Sequence, residues 1–323
     1  MDFEELNSTY IDDAVKLALD NYYAEQRQSE ALYNKSYENE IYQSINELFD
    51  KKIGVVVLEK GELIGYLAFG NMWGSKANGV KSVSSPIHGY GIKPGTDRKK
   101  ITSLLFQYAS QSMCKARVGN YNITVYAHDI DVLSSYVLNQ FGILCADAIR
   151  NINSPINKSF NEQYVYEELS SKEKIYQAEY LLCLYHELIE HLRRSPTFYP
   201  GEEFTDKIFL DYIQDEGTRI FVAKDCYGII GMMDASNDGN NFVTRETDTM
   251  NVGDLFLKEA YRGKNVAQDL LLYVSNILKK DGVNRLWVEH GTTNPTAQRF
   301  WDKYFSNFTY TLTRNIDERI LSI

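Results

Sequence analysis

The sequence predicts a mixed α/β fold built twice in tandem, and three observations predict it. Both halves open with apolar residues at helical spacing and continue with short alternating or β-branched runs, the order expected of a mixed α+β layer. Five separated segments of the first half recur in the second at an offset of about 165 residues, too long a period for a solenoid and the mark of a duplicated domain. At 323 residues the chain exceeds the usual size of one domain, and with 44% hydrophobic residues it can bury two cores.

The elements follow in order. Val15, Leu17 and Ala18, then Ile41, Ile45, Leu48 and Phe49, give helical stripes in the first half, and Leu181, Leu182, Leu184, Tyr185, Leu188, Ile189 and Leu192 do so in the second. Gly54–Lys60 through Gly65 reads as a hairpin and parallels Arg219–Asp225 through Gly231. Leu104-Leu105 falls opposite Leu270-Leu271, Ile123–Val125 opposite Leu286–Val288, Phe141 opposite Phe305, and Arg150-Asn151-Ile152 opposite Arg314-Asn315-Ile316. The stretch Asn151–Ser159, rich in turn formers and holding Pro155, is the expected boundary, giving domains over 1–152 and 160–323.

The most informative run is Leu255–Leu271. Alternating apolar residues from Val252 to Leu257 suit a strand, and Val266, Ala267, Leu270, Leu271, Val274, Ile277 and Leu278 recur at helical spacing until Gly282 closes the helix. Between them Gly263, Asn265 and Ala267 are small or turn-tolerant, so backbone N–H groups can point into one concavity at a helix N-terminus. Arg262 and Lys264 add positive charge, and the whole suits a pyrophosphate. A second strand, Asn284–His290, precedes Asn294-Pro295, a sound helix start because Asn accepts an orphan N–H and Pro has none to lose. Ala297, Phe300, Trp301 and Tyr304 form the apolar stripe of that helix.

These segments resemble the GNAT superfamily of acetyl-CoA-dependent N-acetyltransferases, whose loop reads Gln/Arg-x-x-Gly-x-Gly/Ala and whose later helix opens on Asn-x-x-Ala-x-x-Phe-Tyr. Here the loop reads Arg262-x-x-Asn265-x-Ala267, with Asn in place of the first glycine, a residue that tolerates the left-handed conformation. Asn294, Ala297 and Phe300 match the second pattern, and Trp301 stands where the family usually has Tyr. The resemblance implies two tandem GNAT-like domains, each a central mixed, mostly antiparallel sheet with a splayed parallel strand pair flanked by helices. It implies that acetyl-CoA is the co-substrate, its pantetheine arm lying between the splayed strands against backbone groups of Leu255, Phe256 and Leu257. The pyrophosphate would sit on Arg262, Gly263, Lys264, Asn265, Val266 and Ala267, with Asn294 completing the cofactor-binding set. The acetyl group would pass directly to an amine acceptor, with a backbone N–H near Leu257 stabilising the oxyanion.

A mostly protonated alkylamine must lose a proton before it attacks, and Asp254 and Glu289 are the candidate bases, with His290 sharing their position. Indole N–H is too weak an acid to serve the leaving thiolate, so Tyr304, one turn beyond Trp301, is the candidate acid. The acceptor pocket is expected between residues 186 and 200, where Glu187 and Glu190, with Glu202 and Glu203 beyond, are candidate ligands for a cationic amine. The first half differs at the loop: Thr96-Asp97-Arg98-Lys99-Lys100-Ile101 has no small residue, and its aspartate would repel a phosphate, so that half reads as a degenerate copy.

A net charge of −10 argues against nucleic acid as the main partner. No apolar run reaches membrane-spanning length, the start Met1-Asp2-Phe3-Glu4-Glu5 is acidic, and a cytoplasmic protein is expected. Cys114, Cys145, Cys183 and Cys226 lack the spacing of a metal site or disulfide framework and read as buried free thiols. Two further readings stay open at this point: an acyl-CoA-binding sensor without transferase activity, and a structural tandem module whose loop binds nothing.

Overall fold

The computed structural model describes residues 1–74, 80–156, 161–194 and 204–322. In chain order its elements are β1 (Asp2–Glu4), α1 (Ile11–Gln26), α2 (Glu38–Asp50), β2 (Gly54–Glu59), β3 (Glu62–Ala68), β4 (Trp73–Gly74), β5 (Lys81–Ser85), β6 (Tyr90–Ile92), α3 (Arg98–Lys115), β7 (Val118–Tyr126), α4 (Ile130–Leu138) and β8 (Gly142–Asn151). The second half continues with β9 (Val165–Glu168), α5 (Ser171–Tyr176), α6 (Ala178–Leu192), α7 (Asp206–Gln214), β10 (Arg219–Asp225), β11 (Gly228–Ser236), β12 (Thr249–Leu257), α8 (Val266–Lys280), β13 (Arg285–Gly291), α9 (Pro295–Tyr304) and β14 (Ser306–Asn315). Of the expected boundary stretch, residues 157–159 lie outside the described residues.

The chain forms two compact units, residues 1–147 with 306–323 and residues 148–305. The expected domains, 1–152 and 160–323, follow the sequence repeat, whereas the compact units follow the strands. Strand β14 runs antiparallel to β7, from Thr309 opposite Tyr126 to Asn315 opposite Asn120, and so belongs to the first unit. Ile316 N–H then bonds Gly119 O in the first unit at 2.8 Å, as Ile152 N–H bonds Asn284 O in the second at 2.9 Å. The Arg314 guanidinium lies over Phe141 of the first unit, and Arg150 lies over Phe305 of the second. Each unit is thus completed by the terminal strand residues of the other half of the sequence, at matched positions of the repeat.

In the first unit β1, β2, β3 and β6 form one antiparallel sheet. The second group of strands places β5 parallel to β7, with β4 beside β5 and β14 beside β7. Helix α1 buries Ile11, Ala14, Val15, Leu17, Ala18 and Tyr22 at the three-to-four-residue spacing of one face. Both hairpins expected from the sequence form, β2–β3 and β10–β11.

In the second unit β9, β10, β11 and β12 are antiparallel neighbours and β13 runs parallel to β12. Helices cover both faces. Under α8 and α9 lies a core that includes Met233, Val252, Leu270, Leu271, Val274 and Trp301, and under α6 and α7 one that includes Leu181, Leu184, Phe209, Ile213, Val222 and Phe256. Burying such side chains stabilises a core by roughly 1.5–3 kcal/mol each, so the parallel pair at the centre is held from above and below. The four cysteines are free, but Cys183 and Cys226 are exposed and Cys114 and Cys145 half-buried, which corrects the expectation of buried thiols. The physical reason is their place: Cys183 is on α6 beside its buried stripe, and Cys226 is in the β10–β11 turn. No helix among the described residues is long and apolar enough to cross a membrane.

Candidate active site

Strands β12 and β13 pair only from Thr249 opposite Arg285 to Asn251 opposite Trp287. Beyond that point β12 continues along β11, with Leu255 opposite Met233, Phe256 opposite Met232 and Leu257 opposite Gly231. The parallel pair therefore opens at Asn251, and the edge of β12 that carries Leu255, Phe256 and Leu257 borders the opening. Gly231 is required for this packing, because a Cβ there would stand 2.1 Å from Leu257 Cδ2 and 2.8 Å from Phe256 O.

The loop at the end of β12 turns through a short helical turn, Glu259–Tyr261, into α8. Gly263 and Asn265 both adopt left-handed backbone, φ 74° and 65°, and a Cβ on Gly263 would meet only open space. The Asn265 side chain makes no capping bond at the start of α8, so the N-terminal amides of this fifteen-residue helix are not taken by their own cap. Arg262 Nε donates to Leu257 O at 3.0 Å while its guanidinium lies 5.3 Å from the centre of the Phe256 ring. Lys264 Nζ sits 5.5 Å over Tyr261, whose hydroxyl donates to Asp225. Val266 is buried and Ala267 packs against the same small core, so these two anchor the helix start while Gly263 to Asn265 form the concavity. Asn294 Oδ1 accepts from Ala297 N at 3.2 Å and caps α9, with Pro295 at its first position.

Sequence reasoning placed Asp254 here and missed its partner. The β11–β12 register shifts between Met233 and Ala235, so that Gly253 and Asp254 together oppose the single Asp234. A Cβ on Gly253 would come within 2.8 Å of both Asp234 carboxylate oxygens, so only glycine lets the strand lie this close to the acid. Asp234 is 6% exposed and accepts a hydrogen bond from the Tyr212 hydroxyl of α7. Burial first, then the charge of Asp254, pushes the Asp234 carboxyl up to about 7, against the pull of the Tyr212 bond. Burial also raises Asp254. Asp254 itself is exposed, so the shift that stands on burial is that of Asp234. Burial and the neighbouring Asp254 charge both favour the protonated form of Asp234. The lone Asp in the apolar run Ile229-Ile230-Gly231-Met232-Met233-Asp234-Ala235 was the legible signal.

The other candidates divide. Glu289 is exposed on β13, beyond the last paired residue. His290 is 4% exposed, with Nε2 3.9 Å from an Asp302 carboxylate oxygen. Tyr304 packs against the α8–α9 core and donates to Gln268 Oε1 at 2.6 Å. Trp301 is buried in that core.

A cavity of about 250 Å³ lies between α6 and the loop, lined among others by Glu187, Glu190, His191, Arg194, Glu259 and Arg262. Glu190 pairs with Arg193, and His186 Nε2 lies 2.7 Å from Asp206. His191 is pushed down, first by burial and then by the Arg262 and Arg194 charges, which favours the neutral imidazole. Residues 195–200, Glu202 and Glu203, expected to extend this pocket, lie outside the described residues.

A parallel pair that opens beside the Gly263–Asn265 loop, with helices on both faces of the sheet, defines the class: a GNAT fold, present in tandem. Residues 185–306 match the model of the acetyltransferase (GNAT) family. No curated protein matches the chain in sequence. Among solved structures it is similar to a GCN5-related N-acetyltransferase from Sphaerobacter thermophilus, at 14% identity and a TM-score of 0.59 over 97% of this chain and 95% of that one. It is also similar to a GCN5-related glucosamine N-acetyltransferase region of a fungal multi-domain GH3 β-N-acetylglucosaminidase, at 12% identity and a TM-score of 0.50, covering 97% of this chain and 38% of that one. A tandem GNAT protein from the clavulanic acid biosynthesis pathway matches at 13% identity and a TM-score of 0.48, over 97% and 98%. At these identities the likeness is one of fold.

Proposed function

We propose that the second unit is an N-acetyltransferase that moves the acetyl group of acetyl-CoA directly to an amine acceptor. The observation that carries this reading is the opening of β12 from β13 at Asn251, immediately ahead of the left-handed Gly263–Asn265 loop and the uncapped start of α8. Leu255, Phe256 and Leu257 would present backbone groups to the pantetheine arm, and Arg262, Gly263, Lys264, Asn265, Val266 and Ala267, with Asn294, would form the rest of the cofactor site. The amine nitrogen attacks the thioester carbonyl, a C–N bond forms, the C–S bond breaks, and the sulfur leaves as a thiolate. The proton lost by the amine goes to the Asp254–Asp234 pair, whose raised affinity for a proton suits a base working near pH 7. The Tyr304 proton is engaged by Gln268. A thiol has a pKa of about 8.5, so the thiolate is a tolerable leaving group without an acid. A protein of this composition working in the cytoplasm on small or peptide amines is the setting this reading implies.

One observation favours a second reading, an acyl-CoA-binding sensor: Trp301 occupies the position of the resemblance's Tyr and is committed to the core. Calorimetric titration of acetyl-CoA into the full chain tests the binding step. One equivalent should bind, and an Arg262→Glu, Ala267→Asp variant should bind none; no binding by the unaltered chain sinks both readings. Release of free thiol across a panel of primary amines separates them. Binding without release from any amine leaves the sensor.

A further inference from the structure

We propose that the first unit holds a binding site of its own for a small protonated amine, in a cavity walled by α1 and the segment that follows β7. The cavity measures about 480 Å³, the size of a small-ligand site. One face of α1 lines it with Asp20, Asn21 and Glu25, the Pro94-Gly95 turn closes one side, and Tyr126 and His128 form the other.

It is a site of different chemistry from the second unit's phosphate loop. The Asp97 carboxylate accepts from Lys100 N at 3.1 Å and so caps the start of α3. The Arg98 guanidinium turns inward, donating to Ile92 O and to Asn21 Oδ1 and pairing with Asp129. The Tyr90 hydroxyl accepts from Tyr126 N at 3.2 Å, closing the gap between β6 and β7. What stays open is the cavity on the α1 side.

A buried carboxylate marks its wall. Glu25 is 2% exposed in α1, a position that apolar residues ordinarily fill, and burial pushes its carboxyl up. It is held by His128: the backbone N–H of His128 donates to Oε2 at 3.0 Å and ring Nδ1 lies 2.7 Å from Oε1. In the Nδ1–H tautomer of the ring, which donates to the carboxylate, Nε2 is the acceptor. The ring is 44% exposed, and His128 lines the cavity. Arg98 and Asp129 cancel, which leaves Asp20 and Glu25 against Arg27 among the charges of the lining. An ammonium group donates and never accepts, so it matches His128 Nε2 and the Asp20 carboxylate, with the Glu25 charge close behind.

The test follows the His128 Cε1–H signal in the proton spectrum of the full chain, assigned with His128→Gln, during titration with 1,4-diaminobutane. A saturable shift is expected, absent with butyrate and with 1-butanol, and at least tenfold weaker in Asp20→Asn and Glu25→Gln. Asp20 is exposed, so its variant keeps the test valid if Glu25→Gln fails to fold. The Arg262→Glu, Ala267→Asp variant should retain the shift, which separates this site from the second unit. A signal that diaminobutane leaves unmoved, that butyrate moves equally, or that responds with unchanged affinity in both acid variants overturns the proposal.

Discussion

At matched positions of the repeat, the two units treat the end of the same strand in opposite ways. In the first unit a carboxylate, Asp97, caps the helix that follows; in the second the corresponding helix starts at Asn265 without a side-chain cap. In the first, Arg98 is drawn into an ion pair with Asp129; in the second, Arg262 braces Leu257 O at the mouth of the loop. Gly91 lies under Tyr66 and Leu17, whose atoms would stand 2.5 and 2.8 Å from a Cβ there, whereas the matched Phe256 fills a core. Backbone donors and carbonyls must find partners, and a copy that gives up a ligand has to supply them from its own side chains. In the first unit Asp97, Arg98 and Tyr90 supply such partners.

The largest expected difference lies in the acid pair, which only the second unit has. Ala68 and Gly89 stand where the repeat would place Asp234 and Asp254. Asp234→Asn with Asp254→Asn should lower kcat by roughly 10²–10⁴-fold while leaving acetyl-CoA affinity within a few fold. The sign of the pH dependence follows from the upward shift: the pair must lose its proton to act as a base, so activity should rise as pH passes through about 7 and be weak at pH 5. A kcat/KM profile flat from pH 5 to 8, or a double variant with full activity, would remove the pair from the chemistry and dissolve this contrast.

Next in size is the exchange of an arginine's role between stability and binding. Arg98→Ala leaves Asp129 and the Ile92 carbonyl without their donor in a pair whose side chains are 17% and 13% exposed. It should cost about 3 kcal/mol, at the lower end for a buried pair because both groups keep some contact with water, with no change in acetyl-CoA binding. Arg262→Ala should do the reverse, weakening acetyl-CoA binding about tenfold or more while costing about 1 kcal/mol or less of stability. Urea denaturation and calorimetry on both variants check the pair. Equal losses of stability would show that Arg262 is as structural as Arg98.

Much of this contrast was legible in the residues. The strand, loop and helix from Val252 to Lys280 could be read because apolar period and small residues changed together. Asp234 went unread because a single acid inside an apolar strand becomes meaningful only when the bulge brings Gly253 and Asp254 against it. The exchange of terminal strand residues was equally hidden: Arg150 and Arg314 repeat at the right spacing whichever unit receives them, and only strand pairing decides. The Glu25–His128 pair joins residues far apart in sequence, so no local pattern announces it.

The smallest expected effect concerns the left-handed residue that opens the second unit's helix. Asn265 stands at φ 65°, a conformation that costs most residues about 1–2 kcal/mol, Asn less, and glycine nothing. Glycine also loses more chain entropy on folding, which costs about 0.4–1 kcal/mol. Asn265→Gly should therefore change stability by about 0.5 kcal/mol or less and leave acetyl-CoA binding intact, because the loop conformation is kept. Lys100 of the first unit is exposed in the first turn of α3, where right-handed backbone gives glycine no relief. Lys100→Gly should lose roughly 0.5–1 kcal/mol. Thermal unfolding of the two single variants decides the matter: equal losses at both sites would mean that the αL turn at Asn265 is held without strain and that the loops differ in side chains alone.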